Sequence, residues 1–191
     1  MNYYDQHAEQ YIQGTVSVDM GEQYALFLPH LEEGASILDA GCGSGRDSAA
    51  FLSLGYAVDA FDASNEMVKA ARNLTGLPVR CLRFQDLDDH DRYDGIWASA
   101  SLLHVPRSEM GDVFFRLHCA LRRNGILYVS FKEREEDFES GSRLFTCYTA
   151  QSFTSFIEGL GLFSIVTVHH STDLRAERAG ERWLNVVLRR R

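Results

Sequence analysis

The run Ile37-Leu38-Asp39-Ala40-Gly41-Cys42-Gly43-Ser44-Gly45-Arg46-Asp47 constrains this chain more than any other segment. Two apolar residues lead into an acid, and three glycines then alternate with small residues. Such a run reads as a buried strand that ends in a tight turn and opens a helix. Glycine in the turn lets a ligand come up against the backbone. The helix behind it offers unpaired N–H groups and the positive end of its dipole. These are the parts of a nucleotide-type pocket at the C-terminal end of a strand.

Spacing narrows the guest. A dinucleotide fingerprint, G-x-G-x-x-G, needs its third glycine at position 46, which is Arg46. That disfavours an NAD-dependent oxidoreductase. No Gly-Lys-Ser/Thr follows, which excludes a phosphate-binding P-loop. Asp39 would repel a pyrophosphate and suits a guest with positive charge. Asp39-x-Gly41-x-Gly43-x-Gly45 resembles motif I of the class I S-adenosylmethionine (SAM) dependent methyltransferases. The resemblance implies SAM as cofactor and S-adenosylhomocysteine as product, with Cys42 and Arg46 among the turn residues around it. SAM carries a sulfonium and an ammonium and no phosphate, which fits the acid.

The 191 residues suit a single domain. Residues 1–34 read as an N-terminal lid and helix, and residues 35–191 as the SAM-binding core. The formal net charge is −8. Nucleic-acid binding depends on neutralising phosphates with Lys and Arg, so this balance points to a small-molecule substrate and no nucleic acid. No stretch approaches the ~20 apolar residues of a membrane span, and the N-terminus lacks the layout of a secretory signal. The cysteines at 42, 81, 119 and 147 are scattered, without a C-x-x-C pair. Neither a metal site nor a disulfide framework is expected, and a cytoplasmic location is.

Apolar spacing predicts the elements in order. Met20, Tyr24, Phe27, Leu28 and Leu31 recur as on a helix. Strands are expected at about Ser36–Ala40, Tyr56–Phe61, Val79–Phe84, Tyr93–Ala98, Ile126–Phe131, Phe163–His170 and Trp183–Leu188. Helices are expected from Asp47 to Gly55, from a Ser64 cap to Leu74, from Ser108 to Arg122, and from a Thr149 cap to Gly161. Alternating strands and helices imply an α/β fold, a Rossmann-like doubly wound and mostly parallel sheet. The last two strands are joined by a loop, so one should run antiparallel. The resemblance implies seven strands in the order 3-2-1-4-5-7-6.

Asp62 ends strand two, about 20 residues after the glycine turn, where a carboxylate can accept hydrogen bonds from a ribose diol. The resemblance gives Asp62 that task in Phe61-Asp62-Ala63-Ser64. It places Asp86 at the adenine amino group, the Leu87 backbone N–H at a ring nitrogen, and Gln85 nearby. Ala63 and Met67 are candidates to pack on the adenine, although Met67 fits a core position equally. Strand four ends at Ala98, and the segment beyond it passes beneath the methionine arm. His104 in that segment is a candidate general base, an orienting group, or a solvent-facing side chain. Tyr4-Asp5-x-x-Ala8-x-x-Tyr11 resembles the opening of small-molecule members, which folds over SAM as a lid. That makes Tyr11 and Thr15 candidate cofactor contacts. Glu133–Glu139 with Gly141-Ser142-Arg143 is a charged excursion that could shape the substrate side, and Arg143, Arg175, Arg178 and Arg182 could hold an anionic acceptor.

The expected function is methyl transfer from SAM to a small molecule. Gly45-Arg46-Asp47-Ser48 and the short chain are similar to the tellurite-resistance methyltransferases, and broader small-metabolite members fit equally. A non-catalytic SAM-binding regulator is the alternative.

Overall fold

The computed structural model describes residues 3–173, 175 and 180–191. Its strands in chain order are β1 (Ser36–Ala40), β2 (Ala57–Asp62), β3 (Arg80–Cys81), β4 (Tyr93–Ala98), β5 (Leu121–Lys132), β6 (Phe138–Ser140), β7 (Arg143–Phe145), β8 (Phe163–Thr172) and β9 (Arg182–Arg190). All but β6 and β7 form a seven-stranded sheet, β3-β2-β1-β4-β5-β9-β8. Strands β1 to β5 are parallel, and β9 inserts antiparallel between β5 and β8. This is the expected Rossmann-like order with its one reversed strand. The helices are α1 (Tyr3–Gln6), α2 (Ala8–Thr15), α3 (Gly21–Phe27), α4 (Arg46–Ser53), α5 (Asn65–Thr75), α6 (Met110–Ala120) and α7 (Ala150–Leu160). None is long and apolar enough to cross a membrane.

Alternation along the strands sorts side chains onto two faces. On one face Leu127, Val129 and Phe131 of β5 pack with Phe114 and Leu117 of α6 and Phe153 of α7. On the other, Ile126 and Tyr128 pack with Phe27 of α3, Phe51 of α4 and Trp97 of β4. Each of these side chains is fully or almost fully buried, which stabilises the fold by about 1.5–3 kcal/mol per residue. Caps mark the helix ends. The Ser64 hydroxyl accepts from Met67 N at 3.3 Å, and Gly76 closes α5 at φ +72°. Thr149 and Ser152 form a reciprocal capping box on α7, which ends at Gly161.

Three elements differ from the sequence expectation. Strand β3 is two residues long, because its only neighbour, β2, ends at Asp62 and Phe84–Asp86 coils into a 3-10 turn. Helix α6 stops at Ala120, because Leu121 turns extended and pairs with Tyr93. The charged excursion contains a hairpin, β6 and β7, turning at Gly141.

Helices α4 and α5 touch at a glycine. Gly45 sits at φ +86°, and a Cβ there would lie 3.0 Å from the Cα and Cβ of Ala71. Gly45→Ala combines a left-handed backbone with a collision against helix α5, so it should lower stability by about 2–4 kcal/mol. Gly76→Ala, with open space around it, should lose only about 1 kcal/mol. Urea unfolding of the two variants beside the wild type checks both.

Candidate active site

The glycines of the β1–α4 turn do three different jobs. A Cβ on Gly41 would lie 2.5 Å from Ser101 Cβ, so this glycine lets two loops touch. Gly45 admits α5. A Cβ on Gly43 would meet only the Tyr11 ring, at 3.7 Å, so Gly43 is the glycine whose bare backbone faces open space. Asp62 fixes that backbone. Its Oδ2 accepts from Gly43 N at 2.9 Å and its Oδ1 from Ser64 N at 2.8 Å. A carboxylate has about four acceptor positions, so both oxygens keep capacity for a ligand. Burial raises the pKa of Asp62, and the backbone N–H groups oppose that rise.

Two further acids lie behind the turn. Asp39 is buried and accepts from Ser48 Oγ at 2.5 Å. Burial, followed by the negative charge of Asp47, pushes its pKa up to about 8. Asp47 accepts from Arg46 Nε at 2.7 Å and Nη2 at 3.0 Å, from the Tyr24 hydroxyl at 2.7 Å and from Trp97 Nε1 at 2.8 Å. The sequence reading took Asp47 as a helix start and as part of the Gly45-Arg46-Asp47-Ser48 resemblance, without these contacts. Its donors come from α3, α4 and β4, which no single motif could have signalled.

The N-terminal helices lie over this turn. Arg46 Nη1 donates to Thr15 O at 3.1 Å, and Ser64 Oγ donates to Asp5 Oδ1 at 2.6 Å. Asp5, from the expected lid motif, therefore docks on the cap of α5. The Tyr11 ring covers Gly43, and burial raises its phenol pKa.

Two cavities meet beneath this cover. They share Tyr11, Gly41, Gly43, Ala100, His104 and Arg143. The first also reaches Asp39, Cys42, Arg46, Asp47 and Thr15. The second takes in Asp62, Ala63, Met67 and Gln85. Four expected contacts lie off both walls, Gly45 among them because it faces α5. Asp86 points outward from its 3-10 turn into a two-bond pair with Arg83, at 2.7 and 3.0 Å. Leu87 and Ala98 are buried in the hydrophobic core.

His104 ends a 3-10 turn and is held by the β6–β7 hairpin. Its Nδ1 lies 2.9 Å from Leu144 O, and its ring meets the Phe145 ring at 4.9 Å. A carbonyl only accepts, so Nδ1 carries the proton and Nε2 the lone pair. Burial, with the nearby charges of Arg143 and Lys132, lowers its pKa to about 4 against the Leu144 hydrogen bond.

The far wall of the first cavity comes from β5, β8 and β9. Tyr128, Ser130 and Lys132 alternate along β5, and Trp183 and Asn185 along β9, all on the α3 side of the sheet. The Tyr128 hydroxyl donates to Asn185 Oδ1 at 2.7 Å, and Asn185 Nδ2 donates to Ser171 Oγ at 2.9 Å. Lys132 is buried against Glu181, with its Nζ 5.1 Å from the Phe145 ring and 5.9 Å from the Trp183 ring. Arg175 reaches the wall in a two-bond pair with Asp173, at 2.8 and 2.6 Å. Arg143 also lines the cavity, whereas Arg182 pairs with Glu133 at 3.0 Å off the wall. Arg178 lies outside the described residues. Sequence reasoning missed Lys132, Asn185 and Gln23. For Lys132 and Asn185 the available signal was a polar residue in an otherwise apolar strand, on the face of Tyr128; Gln23, on α3, had no such strand signal. Among the described residues, no group of three or more His, Cys, Asp or Glu could hold a metal ion.

Comparison with known proteins places this geometry. Residues 37–125 match a family described as a methyltransferase domain. The crystal structure of 1,6-didemethyltoxoflavin-N1-methyltransferase from Burkholderia thailandensis, with bound 1,6-didemethyltoxoflavin and S-adenosylhomocysteine, is 25% identical. It aligns over 98% of this chain and 83% of its own, with a TM-score of 0.81. A TehB-like SAM-dependent methyltransferase from Corynebacterium glutamicum shares the fold at 19% identity, over 97% and 99% of the two chains, with a TM-score of 0.71. Magnesium protoporphyrin IX methyltransferase from Synechocystis PCC 6803, with bound SAM, does so at 20% identity, over 100% and 85%, with a TM-score of 0.68. No curated protein matches the chain significantly.

The state of His104 carries a pH signature. Its folded pKa lies below the unfolded value of 6.5, so the unfolded chain binds the extra proton first as pH falls. Its contribution to stability is complete above pH 6.5 and is lost as pH drops towards 4, by about 2–3 kcal/mol in all. Asp39, raised to about 8, has the opposite slope, so the effect is read as a difference between two proteins. Urea unfolding at pH 7, 5.5 and 4.5 should show wild type losing this increment relative to His104→Asn.

Proposed function

We propose that this chain, which belongs to the class I SAM-dependent methyltransferases, methylates a small molecule held in the first cavity. The observation that carries this reading is the junction at Gly43 and His104, where the cavity of Asp62, Ala63, Met67 and Gln85 meets a polar cavity beneath Tyr11. The residues present fit the cofactor. Gly43 exposes bare backbone, and the buried Asp39 carboxylate, already driven towards protonation, favours a cationic guest. Asp62, Ala63, Met67 and Gln85 would hold the adenosine. Asp39, Gly41, Cys42 and Gly43, with Arg46, Tyr11 and Thr15 above, would hold the methionine arm. When bound, SAM supplies an electrophilic methyl group on a sulfonium, with S-adenosylhomocysteine as its leaving group.

The chain's own work is then placement more than proton chemistry. Displacement at a methyl group needs acceptor and donor close and in line. Tyr11 and the α1–α2 cover exclude water. His104 presents Nε2 as a hydrogen-bond acceptor, and with a pKa near 4 it is a weak base that orients an acceptor better than it deprotonates one. The net charge of −8 supports a small-molecule acceptor over nucleic acid. The toxoflavin N1-methyltransferase, also named for a small-molecule acceptor, supports the same reading. The thiols at Cys42, Cys81, Cys119 and Cys147 are all unpaired with one another, which supports a cytoplasmic setting.

Calorimetry with S-adenosylhomocysteine tests the cofactor side. Asp62→Ala removes a charged acceptor and loosens Gly43, so affinity should fall about 10- to 100-fold, or about 1.5–3 kcal/mol. Unchanged affinity in a folded variant would remove Asp62 from the site. A chain lacking residues 1–15 loses the Tyr11 cover and the Thr15 anchor, and should bind at least about tenfold more weakly. It should still unfold cooperatively in urea, because the sheet core begins beyond those residues.

A further inference from the structure

We infer that Gln23 selects the methyl acceptor, its side-chain carbonyl accepting a hydrogen bond from an N–H or O–H of that molecule. This deepens the methyltransferase reading above and rests on it. Gln23 sits on α3, is 3% exposed, and borders the first cavity. Among the described residues its Oε1 is buried without a hydrogen-bond partner. Three side-chain donors on the walls of the same cavity are committed elsewhere. The Tyr128 hydroxyl donates to Asn185, Asn185 donates to Ser171, Ser130 accepts from Ala100 N at 2.8 Å, and Trp183 Nε1 donates to Asp173 at 3.2 Å.

A buried carbonyl without a donor destabilises the fold, and an apolar side chain of the same size would avoid that penalty. Its presence on a cavity wall points to a donor that arrives with a ligand. The cofactor is the weaker candidate. Gln23 does not border the cavity of Asp62, Ala63 and Met67, where the adenosine would sit. The remaining ligand is the acceptor. It follows that the acceptor carries a hydrogen on nitrogen or oxygen at its inner end. A fully ionised oxyanion, which only accepts hydrogen bonds, would place lone pairs against the Gln23 carbonyl.

Gln23→Met keeps the length of the side chain and removes the carbonyl, and Gln23→Leu is a second test of the same loss. Three readouts decide. The ligand-free variants should melt at or above the wild-type temperature, because an unsatisfied group is gone. A lower Tm in both would show that the carbonyl serves the fold and would overturn the proposal. S-adenosylhomocysteine should bind the variants within about twofold of wild type. A tenfold loss would assign Gln23 to the cofactor and also overturn it. Finally, labelled-methyl transfer is compared on N–H heterocycles and phenols, and on carboxylates such as benzoate, oxyanions that are fully ionised at the assay pH and carry no N–H or O–H. Wild type should methylate a member of the first group, and the variants should lose at least tenfold in kcat/KM. Equal kcat/KM, or wild-type transfer to the oxyanions and to no donor-bearing acceptor, would overturn it. If wild type fails to bind S-adenosylhomocysteine at all, the methyltransferase reading itself fails. Binding with any other adverse result rejects only the role of Gln23.

Discussion

The carboxylate of Asp47 holds the site together. It accepts two hydrogen bonds from Arg46, one from Tyr24 and one from Trp97, and so joins α4, α3 and β4 at one point. A buried carboxylate is tolerable only when it is paired and its lone pairs are filled, and here both conditions hold. The consequences spread outward. Arg46, fixed on Asp47, reaches Thr15 O and seats the end of α2. Trp97, fixed through its Nε1, stacks on Tyr128 at 3.9 Å, and Tyr128 in turn orients Asn185. One side chain thereby sets both the cover over the cavity and the polar network on its far wall.

The same region carries groups that disfavour the ligand-free fold. Asp39 is buried beside a second acid, Asp62 is buried against its own desolvation, and the Gln23 carbonyl lacks a donor. For Asp39 the sign is definite. Its folded pKa lies above the unfolded value, so its burden grows as pH rises from about 4 towards 8. A ligand that supplies a cation and a hydrogen-bond donor relieves these burdens and adds stability through its binding. Unfavourable polar burial is therefore concentrated where ligands enter, and the hydrophobic faces of the sheet carry the fold.

What the sequence revealed follows a physical division. Backbone-determined features were legible. The Asp39 to Gly45 turn, the Ser64 and Thr149 caps, and the glycine stops at 55, 76 and 161 all lie where local rules put them, because each is a short-range steric or hydrogen-bonding constraint. The strand order followed from a family resemblance together with the loop between the last two strands. Elements decided by neighbours were less legible. β3 is short because β2 ends, and Leu121 leaves its helical spacing because a sheet position beside Tyr93 buries it. At the site, spacing put Asp62 beside the glycine turn but did not reveal its hydrogen bond to Gly43 N, and the outward turn of Asp86 depends on Arg83.

The two walls differ for the same reason. The wall proposed for the cofactor is built from loop backbone at the ends of β1 and β2, where glycine and a terminal acid leave a fixed trace in sequence. The wall proposed for the acceptor is built from side chains of α3, β5, β7, β8 and β9, residues far apart in the chain and brought together only by the sheet. The sheet order puts β9 beside β5, so Asn185 can meet Tyr128, and Trp183 and Lys132 become cross-strand partners. Each side chain on that wall can change without disturbing a backbone turn. In the proposed reading, the turn that meets the cofactor stays fixed while side chains on the opposite wall choose the acceptor, and this is why the chain discloses its cofactor more readily than its acceptor.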